Sequence, residues 1–232
     1  MARYSTVRQR PASLDEDSFV SGVLEATNWT RRHGMLIGGA ILAILVVAAA
    51  VLYMRHYRSV LEARAGGELN QIRQIATAGN LPLALRQLRP FVSTFGSTRA
   101  GKEGRVLLAQ TLLDEGNAAD AIPVAQPLAS DLDDPLGVPA AFLLGAAYEA
   151  SGKHDQAEAT YLRVADKGRF EYQRRDALEA AARLKFQDND AAGAAALYQR
   201  ILKGMPDTAS IRPVFEMRLA EAQARTTAAG KR

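Results

Sequence analysis

Cysteine is absent from this sequence, and histidine occurs only three times. Without thiols the chain cannot form disulfides, thiolate metal sites or a cysteine nucleophile. His33, His56 and His154 are isolated and lack the paired spacing or acidic companions of a metal site. Gly-rich phosphate loops, nucleophile elbows and catalytic-triad patterns are missing as well. The sequence therefore predicts a protein that is not an enzyme and that holds no cofactor or metal.

Charged side chains form few clusters. Asp131, Asp133 and Asp134 are similar to a fragment of a calcium loop, but the glycine and the final glutamate of such a loop are missing. Because Pro135 follows, a turn is the expected structure. The 29 Lys and Arg residues are scattered among 25 Asp and Glu residues. Since nucleic-acid binding needs a basic patch or stripe, no nucleic-acid partner is predicted.

Residues 35–54 contain no charged side chain, and the hydroxyl of Tyr53 is their only polar side-chain group. A helix of this length covers about 30 Å, the thickness of the hydrocarbon core of a bilayer. Arg31 and Arg32 precede the run, and Arg55 and Arg58 follow it. The pattern predicts one transmembrane helix in contact with membrane lipid.

Two other interpretations fit residues 35–54 less well. A core helix of a soluble domain would carry a polar stripe every three or four residues. A cleaved signal peptide has a shorter apolar core, and it begins nearer the N-terminus than this run, which 34 residues precede. The run is therefore interpreted as an uncleaved anchor. The positive charges on its two sides nearly balance and do not decide its orientation.

Residues 1–34 are interpreted as a tail that contains a short amphipathic helix. Ser13 and Glu16 match a capping box in which Ser13 is the N-cap. Apolar residues, among them Phe19 and Val23, then recur at helical spacing. This face is expected to rest on lipid, and contact with a partner protein is the alternative.

The remaining residues, 55–232, contain an internal repeat. Glycines that suit a turn between helices occur at Gly79, Gly116 and Gly152, and Asn189 takes the matching place in a fourth unit. The four positions are 36 or 37 residues apart. An apolar helix pattern precedes each turn and an Ala-rich one follows it. The repeat predicts helix pairs at about 61–95, 101–131, 139–167 and 172–203, closed by a capping helix at 212–225.

The third unit resembles the tetratricopeptide repeat consensus in Gly145, Tyr148, Gly152, Ala157 and Tyr161. In the next unit Ala194, Tyr198 and Pro206 take the corresponding consensus positions. An ordinary helical bundle would not keep this period. The predicted fold class is all-α, with one N-terminal transmembrane helix followed by a TPR-like α-solenoid.

A solenoid of this kind binds its partners on the concave surface that the first helix of each pair lines. In the consensus register ten residues are expected to line it: Leu69, Arg73, Val106, Gln110, Leu113, Phe142, Glu149, Glu179, Arg183 and Phe186. This mixture of apolar and oppositely charged groups suits an extended polypeptide or a partner helix. It differs from the Lys/Asn clamp with which some TPR adaptors hold acidic tails. Any one of the ten could instead serve only to pack helices together.

The order of tail, basic stop, single span and four loose repeats resembles a bacterial family of membrane-anchored TPR-like proteins, the ancillary SecYEG translocon subunits (YfgM-like). The resemblance covers residues 15–225 and rests on layout rather than on a diagnostic motif. It implies an inner-membrane protein with a cytoplasmic tail and a periplasmic repeat domain. It also implies association with the translocon and with a membrane-anchored periplasmic chaperone of the isomerase type.

The function predicted from these observations is a non-enzymatic scaffold or chaperone-like adaptor at the site where secreted chains emerge. Two alternatives stay open. The first is an assembly factor for another envelope complex, such as cytochrome maturation or cell division, with one dedicated client. The second is a subunit that supports an enzyme encoded elsewhere.

Overall fold

The computed structural model describes residues 14–229, and it describes the side chains of residues 35–228 except Ile37. Within these residues all regular secondary structure is helical, which confirms the all-α class. The helices are α1 (Leu14–Thr77), α2 (Leu81–Phe95), α3 (Arg99–Asp114), α4 (Ala118–Ala129), α5 (Gly137–Ala150), α6 (His154–Lys167), α7 (Glu171–Gln187), α8 (Ala191–Lys203) and α9 (Arg212–Ala229). The chain divides into two compact units, Met1–Arg58 and Ser59–Arg232.

The first unit contains a candidate membrane span. From Gly38 onward α1 is long and apolar enough to cross a bilayer, with a mean hydropathy of 2.1. Its aliphatic side chains are not covered by other described parts of the protein; Leu42 is 63% exposed and Leu52 is 67% exposed. The N-cap Ser13 and the side chains of the expected amphipathic helix lie outside the described residues.

A single helix covers the end of the tail, the apolar run and the first helix of the repeats. The sequence analysis treated these as three segments, because it divided the chain at the ends of the uncharged run, residues 35–54, and at the start of the first repeat near residue 61. Gly38, Gly39, Gly66 and Gly67 lie within α1. An isolated glycine costs a helix only about 1 kcal/mol relative to alanine. No proline occurs in α1. The helix therefore continues through all three segments.

The second unit consists of antiparallel helix pairs. The C-terminal part of α1 packs on α2, with Leu69 and Ile72 of α1 and Leu88 of α2 in one core. The pairs α3/α4, α5/α6 and α7/α8 follow, and α9 packs on α8 at the end of the array. The main core lies between the later pairs and includes Tyr198 and Phe215.

The turns within the pairs fall at the four positions that the repeat predicted. Gly79, Gly116 and Gly152 have φ values of 82°, 76° and 70°, and Asn189 has a φ of 63°. In each turn the amide of the next residue bonds back to a carbonyl five residues earlier, as when Lys153 N donates to Tyr148 O at 2.8 Å. This hydrogen bond is that of a Schellman motif, which needs a left-handed residue where glycine fits best and asparagine is tolerated.

Small residues let the helices approach closely, as the repeat consensus predicted. A Cβ atom added at Gly145 of α5 would lie 2.4 Å from the ring of Tyr161 in α6. A Cβ atom at Gly104 of α3 would lie 2.4 Å from the ring of Phe91 in α2. Ala157 of α6 is fully buried beside Tyr161. Glycine and alanine therefore leave room for one aromatic ring per contact.

Neighbouring pairs are joined differently on their two sides. The first helices pack directly on one another, α3 on α5 and α5 on α7. Long arginine side chains connect the second helices: Arg89 to Asp120 at 3.0 Å, Arg163 to the carbonyl of Ala129 at 2.8 Å, and Arg200 to Asp166 at 2.6 Å. Because the first helices lie closer together, we infer that the stack curves towards them.

Candidate protein-binding surface

The ten residues expected on the concave surface occupy three kinds of position. Leu69 is 1% exposed in the core between α1 and α2, so its assignment to a binding surface was wrong. Its side chain packs in one core with Leu88 of α2 and Leu108 of α3. Val106, Leu113 and Phe142 are partly buried against the hydrophobic cores. Packing therefore accounts for most of their apolar surface.

The charged members of the set are exposed or half-buried, and each is paired with the neighbouring repeat. Arg73 Nη2 lies 2.7 Å from Glu103, and Arg183 Nη2 lies 2.9 Å from Glu149. Glu179 accepts a hydrogen bond from Arg218 of α9. The remaining polar member, Gln110, donates to Asp114 one turn further along α3 at 2.8 Å. The first helices are thus cross-linked by charge along their exposed edge.

Glu149 is the most heavily bonded of these groups. Its Oε1 accepts from the hydroxyl of Tyr161 at 2.6 Å, and both carboxylate oxygens accept from Arg183 at 2.9 Å. Burial raises the pKa of Tyr161, and the hydrogen bond to Glu149 raises it further. The phenol therefore stays protonated and serves as a donor. The network joins α5 to its own partner α6 and to α7 of the next repeat.

Three of the ten residues, Glu179, Arg183 and Phe186, line one cleft of about 560 Å³ on the face of α7. We call it the C-terminal cleft. Its wall is completed by Asp176, Ala180 and Gln187 of α7, Tyr198 of α8, and Arg218 and Glu221 of α9. The floor is apolar and aromatic, and the rim carries charges of both signs.

The charges around the C-terminal cleft are satisfied within the protein. Arg183 is paired with Glu149, Arg218 with Glu179, and Arg225 with Glu221. The hydrogen bond to Glu179 raises the pKa of Arg218. Arg225 also lies over the ring of Phe186, with its guanidinium carbon 3.9 Å from the ring centroid. A ligand therefore meets a nearly neutral surface rather than a free cationic clamp.

The sequence analysis missed the contribution of α9 and α8 to this cleft. It treated α9 only as a cap that covers the end of the array. The spacing of Arg218, Glu221 and Arg225 puts them on one helix face, a signal that was available in the sequence. That Tyr198 joins this face depends on how α8 and α9 pack, which the spacing does not reveal.

The acidic cluster of the α4–α5 link forms a turn, as expected. Asp131 accepts from the amide of Asp133 at 3.1 Å, and Asp134 accepts from the amide of Leu136 at 2.9 Å. Asp134 also pairs with Lys102 at 2.5 Å, and this hydrogen bond lowers the pKa of the carboxyl. In the part of the chain that the structure describes, no group of three His, Asp or Glu side chains is arranged to hold a metal ion.

Solved structures identify the fold. A Podospora anserina protein described as a kinesin light chain, built of nearly identical TPR-like repeats, superposes with a TM-score of 0.59 over 73% of this chain and 90% of that chain, at 16% identity. A point variant of it gives a TM-score of 0.58 with the same coverage and identity. The fold is TPR-like. No family model matches the sequence, and neither does any curated protein.

TPR-like arrays present an extended surface formed by successive first helices, and other polypeptides bind there. In the present array the first helices form a surface that is cross-linked by ion pairs, and the C-terminal cleft lies near its end.

Proposed function

We propose that this chain is a membrane-anchored, non-enzymatic scaffold that binds an extended, weakly charged segment of another polypeptide in the C-terminal cleft. The proposed layout is a tail at residues 1–34, a membrane-spanning helix at 35–54 and a repeat domain at 55–232. The observation that carries the proposal is the pairing of every arginine around the cleft. Ala180 and Phe186 are the apolar groups that the cleft offers to a ligand, since Tyr198 is only 5% exposed.

Such a surface is expected to bind many different polypeptide segments rather than to select one. A free cation in a TPR groove would select a ligand carboxylate, whereas a charge that already has an internal partner gains little from a ligand. Apolar contact and main-chain hydrogen bonds remain, and these are available in any unfolded segment. Attachment to a membrane raises the effective concentration of the cleft near clients in the same membrane, so weak contacts are enough.

The cleft is tested by site-directed crosslinking, for which the absence of native cysteine is an advantage. Gln187→Cys places a reactive thiol at the cleft, and Gln199→Cys places one on an exposed position of α8 outside it. Each full-length variant is labelled with a photoreactive maleimide and irradiated in cells. Crosslinks to many polypeptides from Gln187→Cys alone are expected. Equal products from both positions would overturn the assignment of the cleft.

We further propose that the protein lies in the bacterial inner membrane, with its tail in the cytoplasm and its repeats in the periplasm. The proposed neighbours are the Sec translocon and a membrane-anchored periplasmic chaperone, and the proposed role is that of a chaperone-like adaptor. Support comes from the order of parts along the chain, in which a basic stop, a single span and four helical repeats follow one another. A scaffold that accepts many extended segments fits the place where unfolded chains emerge.

Orientation and neighbours are tested together. Ser5→Cys and Ser210→Cys are labelled in intact cells with a membrane-impermeant thiol reagent, and partners are then crosslinked and identified. Labelling of Ser210→Cys alone, with recovery of translocon or periplasmic chaperone components, is the expected result. Labelling of Ser5→Cys alone would put the repeats in the cytoplasm and overturn the periplasmic adaptor. One discrete crosslinked product with correct orientation would instead indicate an assembly factor with a dedicated client.

A further inference from the structure

The link between α6 and α7 exposes two aromatic rings and two cations. Phe170 is 48% exposed and Tyr172 is 53% exposed, and their rings stack with centroids 5.6 Å apart and planes 10° apart. Lys167 and Arg169 are exposed beside them, and neither forms an ion pair with any residue that the structure describes. Among the described side chains, the only other exposed aromatic residues are Tyr53 and Tyr57, at the end of the apolar run.

The backbone of this link is held in place from both sides. Arg174 Nη1 donates to the carbonyls of Gly168 and Arg169 at 2.8 and 3.2 Å. The side chain of Gln173 accepts from the amide of Phe170 at 3.1 Å. The guanidinium carbon of Arg169 lies 5.5 Å from the centroid of the Phe170 ring. These bonds hold the backbone that carries the rings, which reduces the ordering entropy that opposes a contact made through them.

We propose that this link docks on the headgroup region of a membrane that contains anionic lipid. The inference depends on the proposed membrane anchor but not on the C-terminal cleft. Aromatic rings favour the boundary between headgroups and acyl chains, and lysine and arginine are attracted to anionic headgroups. One carboxylate in the link, Glu171, opposes this attraction. The two unpaired cations outnumber it.

The proposed membrane anchor compensates for the weak affinity that an isolated link of this size would have for a membrane. Two rings and two cations give weak partitioning for a free protein, because interfacial binding grows with buried apolar area and with charge. A chain held in the same bilayer meets the surface at a high effective concentration. Docking would then restrict the orientations that the repeat domain adopts relative to the membrane. A soluble protein partner offers no corresponding advantage from tethering.

Quenching by brominated lipid tests the contact directly. Trp29→Phe removes the single native tryptophan, and Tyr172→Trp then places an indole in the link. The full chain is reconstituted in nanodiscs of zwitterionic lipid, with or without phosphatidylglycerol, in which the upper acyl carbons are brominated. Strong quenching in the anionic discs is expected. Met217→Trp in the same background serves as the control, because Met217 is 65% exposed and lies on α9.

The charge dependence is tested with a matched pair of variants. Adding Lys167→Gln and Arg169→Gln is expected to lower the ratio of docked to free link about fivefold for each cation removed. Lys153→Gln with Arg86→Gln removes the same charge from exposed positions outside the link and is expected to leave quenching unchanged. No quenching, or equal quenching of the Met217→Trp control, overturns the proposal.

One further outcome would also overturn it. Failure of the chain to enter the discs would overturn the anchor and the inference together. This result does not affect crosslinking from Gln187→Cys, so it is distinct from a failure of the cleft proposal.

Discussion

The hydroxyl of Tyr161 donates a hydrogen bond to Glu149 Oε1, with an oxygen-oxygen distance of 2.6 Å, across the turn that joins α5 to α6. The same carboxylate accepts two hydrogen bonds from Arg183 in the next repeat. The side chain of Glu149 is only 15% exposed, and its neighbours provide the bonds that water would otherwise make. Glu149 therefore joins its own helix pair to the next repeat.

Glu149→Gln is expected to lower the free energy of unfolding by about 1–3 kcal/mol, because a half-buried charge-assisted network loses its anion and leaves Arg183 unpaired. Urea unfolding followed by circular dichroism measures the loss. Asp120→Asn is the control: its pair with Arg89 is exposed on both sides, so little change is expected. Equal losses in the two variants would show that the Glu149 network adds nothing beyond a surface ion pair.

Alkaline pH is expected to destabilise the repeat domain. Burial raises the pKa of Tyr161 above its ordinary value of 10, so the folded state holds a proton that the unfolded state releases. The stabilisation is complete below pH 10 and is lost as the pH rises above it, with a slope of up to about 1.4 kcal/mol per pH unit. Urea unfolding between pH 8 and about 11 measures this dependence.

Tyr161→Phe removes this titration and is expected to flatten the alkaline dependence, although it lowers stability at neutral pH by losing the bond to Glu149. The dependence will not vanish, since burial also raises the pKa of Tyr198. An unchanged slope in the variant would mean that Tyr161 titrates normally in the folded protein.

Glu62 of α1 caps the N-terminus of α3 from 37 residues away. Its two carboxylate oxygens accept from the amides of Arg99 at 2.9 Å and Ala100 at 2.8 Å. Glu62→Gln is expected to cost about 1 kcal/mol and to speed amide exchange in the first turn of α3, because a charged acceptor is lost from a helix N-terminus. Thermal unfolding and hydrogen exchange measure both effects. Glu68→Gln, on the same helix at an exposed position, should change neither.

Two alanine substitutions separate crowding from backbone strain. Gly145→Ala is expected to cost about 1–3 kcal/mol or more, because the new methyl group meets the Tyr161 ring at 2.4 Å. Gly152→Ala is expected to cost about 1 kcal/mol, because its φ is 70° although the space around it is open. Combination with Tyr161→Ala should relieve the first cost and leave the second unchanged. Additive losses in both cycles would contradict the packing explanation.

The sequence by itself determined the helical class, the repeat and the candidate span. These follow from short-range physics: a long uncharged run, the period of small and large residues, and turn residues that tolerate a left-handed backbone. Asn189 is an example, because the repeat predicted that it would take the glycine position in the fourth turn, and its φ is 63°. The sequence did not reveal the partners of most charged residues on different helices, because most ion pairs between helices join residues 30 to 39 positions apart.

Tertiary packing alone decided which surface residues are available to a ligand. Leu69 fits the expected surface register but is buried, because the C-terminal part of α1 packs against both α2 and α3 at this position. The C-terminal cleft needs α7, α8 and α9 together, and Arg218 reaches it from 39 residues beyond its partner Glu179. Periodicity reports which face of a helix is apolar, whereas the identity of the neighbour on that face depends on how distant helices meet.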